Sequence, residues 1–149
     1  MLVSTRSLLE DARIGGYAIG AFNAYNLEGV KAVVAAAESK RSPVILQIHT
    51  AALTFGGLPL IALCIEAATQ TAVPASVHLD HSTSAEDIHT AVEAGLSSIM
   101  ADGSEFNFDE NVAFTAETAE YVHQHGGTVE AANEAGHGAR FTITLPVEA

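Results

Sequence analysis

Three side chains able to bind a metal or move a proton fall within four positions at Val77-His78-Leu79-Asp80-His81. They follow Pro74-Ala75-Ser76-Val77, a short segment that reads as a buried strand. Side chains alternate between the two faces of a strand, so His78 and Asp80 point the same way while His81 begins the turn. A metal ligand and a general acid/base could therefore share one site. A capped strand end with satisfied polar groups accounts for the same spacing, and the surrounding elements have to separate the two readings.

The elements that would hold these residues are legible from composition. At 149 residues the chain has the length of one ordinary domain, enough to bury a core without disulfides or structural metals. It is 48% hydrophobic but only 6% aromatic, without Trp, and its Ala, Val, Ile and Leu come in short runs between helical patterns, the signature of an α/β chain. A net charge of −12 with six Lys and Arg repels a phosphate backbone, which argues against a nucleic-acid partner. The single cysteine, Cys64, lies in an apolar helical pattern, has no internal partner and reads as a small core residue in a reducing compartment. Arg6, Glu10, Asp11 and Arg13 interrupt the region where a signal peptide would be apolar, and no later segment is expected to hold the ~18 uncharged apolar residues of a membrane span. The expectation is a cytoplasmic protein without a membrane partner.

Along the chain, residues 5–14 are amphipathic at helical spacing and stop at Gly15-Gly16. Tyr17 to Phe22 is an apolar run ending in Asn23-Ala24-Tyr25-Asn26, with Asn26 placed to cap a helix through Val30, Val33, Val34 and Ala37. Val44-Ile45-Leu46-Gln47-Ile48 is a second strand ending in His49-Thr50, Thr54 to Gly57 a glycine-bearing loop, and Leu58 to Ala72 a helix with Pro59 in its first turn. After the third strand, Ser82 to Asp87 is rich in capping residues and first-turn acids, and the helix it starts is stopped by Gly95. Ser97 to Ala101 is a fourth strand ending at Asp102-Gly103-Ser104. Asp109 to His125 is a helix, and Thr128-Val129-Glu130-Ala131 a fifth strand. Strand and helix alternate with a period of roughly 25 to 30 residues, which demands parallel strands with crossover helices. Active sites of such sheets lie at the carboxyl ends of the strands. Those ends carry Asn23; His49 and Thr50; His78, Asp80 and His81; Asp102 and Ser104; and Glu130. Any one could be a cap, but a purely structural turn has no need of imidazoles beside carboxylates.

With these pieces in place the chain resembles the class II, zinc-dependent ketose-bisphosphate aldolases, the group that includes fructose- and tagatose-bisphosphate aldolases. The resemblance rests on Ala21-Phe22-Asn23 with Asn26, Ser42-Pro43-Val44-Ile45-Leu46, Val77-His78-Leu79-Asp80-His81, Ala101-Asp102-Gly103-Ser104 with Glu110-Asn111-Val112, and Val129-Glu130-Ala131. It covers residues 3–131, with Ser82 a mild departure from the small residue usual after the second motif histidine. It implies a (β/α)8 barrel, present here in part: about five parallel strands with crossover helices plus a C-terminal strand. It also implies that His81 is one of three zinc-ligating histidines, that Asp80 is the acid/base at the hydroxyl beside the cleaved carbon–carbon bond, and that Asn23 looks into the substrate site. Asp102 and Glu130 would lie near the metal or an auxiliary cation, and His78 would orient rather than ligate. The implied reaction is reversible cleavage of a ketose bisphosphate to dihydroxyacetone phosphate and an aldehyde, with Zn2+ as Lewis acid.

Beyond residue 131 the pattern changes. Ala132 stands where the family has a second acid, and residues 125–146 resemble the end of the ATP-binding domain of sensor histidine kinases, in a His-Gly-Gly, strand, Gly-x-Gly, Phe-x-x-x-Leu-Pro order. The nucleotide boxes and phosphoacceptor histidine of that family are absent, so no ATPase is implied. The expected organisation is a truncated aldolase-type barrel over 1–131 and a tail over 132–149 carrying one strand, joined at a junction within His125 to Ala131. Two of the three zinc histidines and the phosphate loops are then missing, with His49 and His137 the remaining candidates for further ligands. The expected state is an impaired or inactive aldolase; the alternatives are a non-catalytic half-barrel remnant and an acidic partner-binding scaffold. Unpaired parallel edges invite a homo-oligomer that covers them.

Overall fold

The computed structural model describes the backbone of residues 1–134 and 138–145, with side chains described through Val129 and at Leu145. Eleven elements follow in order: α1 (Thr5–Gly15), β1 (Gly20–Asn23), α2 (Leu27–Lys40), β2 (Val44–His49), α3 (Thr50–Gln70), β3 (Ala75–Ser82), α4 (Ala85–Glu93), β4 (Ser98–Ala101), α5 (Phe108–Gln124), β5 (Thr128–Glu134) and β6 (Gly138–Thr144). The first four strands form one parallel sheet in the order β1-β2-β3-β4, each joined to the next by a helix. That is the expected partial barrel.

The two-residue period of the strands sorts the sheet into faces. Val44, Leu46, Ile48, Val77 and Leu79 are buried against the helices, where Val30, Ile61, Cys64, Ile88, Leu96, Ile99 and Val122 complete the core. Burial pushes the Cys64 thiol up to about 11, as for an inert core cysteine. The alternate residues Gln47, His49, His78 and Asp80 line the other face and are only partly buried. Toward the amino ends this face is closed by α1, whose Thr5 hydroxyl donates to Ser76 Oγ at 3.0 Å. The polar carboxyl ends stay open.

Caps fix where the helices begin. Asn26 accepts the Gly29 N–H at 2.8 Å, Ser84 caps α4, and Asn107 and Glu110 form a reciprocal capping box at α5. Three expectations need correction. The first is the loop at Thr54 to Gly57: the helix begins at Thr50 instead, and only Gly57, at φ 55°, breaks it, with Pro59 opening the second segment. The second is the absence of a long apolar segment. Thr50–Gln70 is long and apolar enough to cross a membrane by length and composition, yet Leu60, Ile61, Cys64 and Ala68 are buried in the sheet core.

The third concerns the fifth strand. β5 does not extend the parallel sheet but pairs antiparallel with β6, in register from Thr128↔Thr144 to Glu134↔Gly138. Pairing two strands three residues apart closes a much shorter loop than a crossover does. The tail still meets the domain: Leu145 is buried in the core and its N–H donates to Ser97 O at 3.2 Å, beside β4. At the opposite end of the sheet, β1 has no further strand beside it among the described residues. Beside it Phe22, Val33, Ala36 and Pro43 line an open apolar groove of about 450 Å³.

Candidate active site

Parallel pairing brings the polar strand ends to one rim. His49 stands opposite Asp80 across the β2–β3 ladder, and His78 stands between Gln47 and Ser98. Strand alternation alone would turn His81 toward the helices, away from His78 and Asp80. The β3–β4 register shifts between Leu79 and Ser82, so that Asp80 and His81 face the single residue Met100, and His81 adopts φ 52°. A bulge of this kind re-aims one side chain, and a left-handed backbone at a non-glycine residue persists only where its neighbours hold it. The strand therefore runs on through His81 to Ser82 instead of turning at His81.

What holds His81 is Asp102. The His81 Nδ1–H donates to Asp102 Oδ2 at 2.6 Å, and Asp102 Oδ1 accepts the Ser104 N–H at 3.0 Å. The hydrogen bond to Asp102 raises the His81 pKa, opposed by burial and assisted by the nearby carboxylates of Asp80 and Asp102. The same bond, with those from Ser104, lowers Asp102 to about 2. The loop between them is tightly fitted, since a Cβ at Gly103 would collide with the Asn111 amide.

Asp80 lies at the centre. Its Oδ1 is 3.8 Å from His78 Nε2 and 4.0 Å from His81 Nε2, and its side chain is 15% exposed against 51% for His81. His78 is held from behind by Ser98 Oγ at 2.8 Å from Nδ1. Burial lowers the His78 pKa, partly offset by Asp80, so the imidazole is held toward its neutral form. His49 closes the group, with its ring centroid 6.4 Å from that of His81. Its Nδ1 accepts the Ala51 N–H at 3.2 Å and so caps α3.

The other sequence candidates are more scattered. Asn23 is exposed at the end of β1, two strand spacings or about 10 Å from β3. Glu130 has its backbone in β5, opposite Thr142 of β6 rather than in the parallel sheet. His137 lies outside the described residues. Sequence reasoning missed the anchoring of His81 by Asp102 and the capping role of His49. The second was findable, because an uncharged stretch from Thr50 directly after a strand can be read as a helix with residue 49 at its cap.

The donor set tests whether zinc fits. His81 offers a free Nε2 lone pair with its other nitrogen on a carboxylate, the arrangement usual for a zinc-ligating imidazole. A catalytic zinc takes three protein ligands, and no group of three His, Cys, Asp or Glu among the described residues is arranged to hold a metal ion. The described residues fit one ligand and not the whole site.

Comparison with known proteins bears on this rim. The sequence matches the family Fructose-bisphosphate aldolase class-II over residues 3–138. It is 41% identical over 131 residues to a fructose-bisphosphate aldolase of Thermus caldophilus, covering 88% of this chain and 43% of that protein. It is 43% identical over 133 residues to the 6-phospho-5-dehydro-2-deoxy-D-gluconate aldolase of Bacillus subtilis, covering 87% of this chain and 46% of that one. Among solved structures, the YdjI aldolase of Escherichia coli K12 superposes with a TM-score of 0.76 at 36% identity, over 85% of this chain and 48% of that chain. The chain thus spans somewhat under half the length of the relatives it matches. A parallel half-barrel, a polar carboxyl rim and a family match over 3–138 agree: the chain belongs to the class II fructose-bisphosphate aldolase family.

Proposed function

We propose that this chain carries the proton-transfer side of a class II aldolase site, built for zinc-dependent reversible cleavage of a ketose bisphosphate to dihydroxyacetone phosphate and an aldehyde, and that these 149 residues alone are impaired in it. The observation that carries the reading is the place of Asp80, a mostly buried carboxylate within 4.0 Å of the Nε2 atoms of both His78 and His81. In cleavage Asp80 takes the proton of the hydroxyl beside the breaking carbon–carbon bond, whose electron pair stays with the ketone fragment; in condensation it returns that proton. His78 orients the carboxylate. Asn23 offers an amide to the sugar phosphate, and Glu130 remains a candidate for an auxiliary cation. His81, with Nδ1 held by Asp102, would be the zinc ligand, and impairment follows from its being the one ligand that the described residues supply.

Release of dihydroxyacetone phosphate from fructose 1,6-bisphosphate tests this, with zinc present, for the chain alone and for the chain mixed with the other half of the Thermus caldophilus barrel. The expected result is no release from the chain alone, and release from the mixture that falls roughly 10²–10⁴-fold in Asp80→Asn. Full activity of the chain alone would contradict the impairment. A mixture indifferent to Asp80→Asn would remove that residue from proton transfer.

Three smaller readings accompany this one. The open β1 edge and its apolar groove favour self-association, which a strictly monomeric elution profile would contradict. Residues 132–149 form a tail distinct from the aldolase-type unit, a reading supported by the change of sequence pattern after Ala131. A cytoplasmic setting fits the lone buried cysteine.

A further inference from the structure

β5 belongs by connection to β4 and by pairing to β6. The crossover from β4 is complete, since α5 packs on α4 and on β5, and Val129 of β5 is packed against the core. A strand–helix–strand unit of this kind serves to set its second strand parallel to its first. The edge that β5 would join is open. The Asp102 N–H donates to Ser82 O at 2.7 Å, so alternation along β4 turns the backbone groups of Ser98 and Met100 toward β3 and those of Ser97, Ile99 and Ala101 outward. On that outer side β4 has no ladder partner among the described residues. It is met instead by the tail. Leu145, directly after β6, is buried in the core and its N–H donates to Ser97 O at 3.2 Å. β6 therefore runs beside β4, while β5 pairs along its whole length with β6, from Thr128↔Thr144 to Glu134↔Gly138.

We propose that β6 is an interposed strand that holds β5 off the β4 edge and so keeps Glu130 away from the polar rim. The two arrangements exclude each other, because β5 can join β4 in parallel only along the edge that β6 and Leu145 occupy. There its carboxyl end would lie beside that of β4, with the other parallel strand ends. Held in the hairpin, Glu130 stands opposite Thr142 instead. A role for Glu130 at a cation rests on the aldolase reading above; the exchange of strands does not. The described anchor of the tail on the parallel sheet is one leucine and one backbone hydrogen bond, a contact small enough to be released. The tail is thus an autoinhibitory contact built on a strand edge.

Backbone NMR of the 149-residue chain tests this. The parent should show cross-strand nuclear Overhauser contacts from β4 to β6 and none from β4 to β5. Neighbouring residues of a strand direct their N–H groups to opposite edges, so Phe141→Pro with Thr142→Pro removes one donor on each side of β6. In that double variant Glu130 and its neighbours should show contacts to β4, and exchange of the Ile99 and Ala101 amides should slow about tenfold. Leu145→Ala, which loosens the anchor and leaves both strands intact, should slow the same amides by a smaller factor. Contacts from β4 to β5 in the parent would overturn the proposal. So would Ile99 and Ala101 amides that exchange as fast as in the parent, or faster, in both variants. These signals need neither zinc nor substrate, so they stand or fall separately from the aldolase reading.

Discussion

Replacing Asp102 by Asn isolates the contact that aims His81. The substitution keeps the shape and an acceptor oxygen and removes the charge from a 2.6 Å hydrogen bond. A hydrogen bond to a charged group contributes about 1.5–3 kcal/mol when buried and an exposed ion pair about 0–1 kcal/mol. With Asp102 15% and His81 51% exposed, screening brings the expected loss to about 1 kcal/mol, or about 2–4 °C in Tm for a chain of this size. The dependence on pH is the sharper signature. The Asp102 pKa is lowered from 3.8 to about 2, so its contribution is present above 3.8 and disappears as pH falls through about 2. The His81 pKa is raised from 6.5, so its contribution is present below 6.5 and disappears as pH rises through the raised value. The gap in Tm between parent and Asp102→Asn should therefore be widest between 3.8 and 6.5 and narrow on either side. Calorimetric melts of the metal-free chains across this range measure it. A gap that is constant with pH, or that widens in alkali, would refute the pairing.

Three further outcomes follow from the same geometry. Gly103→Ala, whose Cβ would strike Asn111, should cost about 1–3 kcal/mol and let the His81 pKa fall back toward its ordinary value, as followed by NMR titration. Ser98→Ala strips His78 Nδ1 of its partner in a largely buried position and should cost about 1–3 kcal/mol in denaturant melts. Cys64, fully buried with its thiol pushed up to about 11, should react with a thiol reagent only as fast as the chain unfolds, so that labelling in native buffer tracks unfolding.

The parallel architecture was legible because its signals are local and repeated. Runs such as Val44–Ile48 and caps such as Asn26 and Ser84 recur at the spacing of strand–helix units, and parallel pairing then puts their polar ends on one rim. What escaped depends on tertiary geometry. Alternation placed His78 and Asp80 together correctly but could not bring in His81, which arrives through a bulge and a left-handed backbone invisible in residue types. The fate of Thr128–Glu134 was missed for a different reason. A short β-rich segment pairs as well with a neighbouring strand as with a sheet edge, and proximity in sequence favoured β6. The start of α3 was hidden by Gly56-Gly57, which reads as a loop, although only Gly57 leaves the helical conformation.

Zinc titration of the chain and of His81→Ala, followed calorimetrically, bears most directly on the central claim that this rim holds one ligand of a larger site beside its acid/base. Weak binding that disappears in His81→Ala is the predicted result. Tight one-to-one zinc that survives His81→Ala would contradict the account.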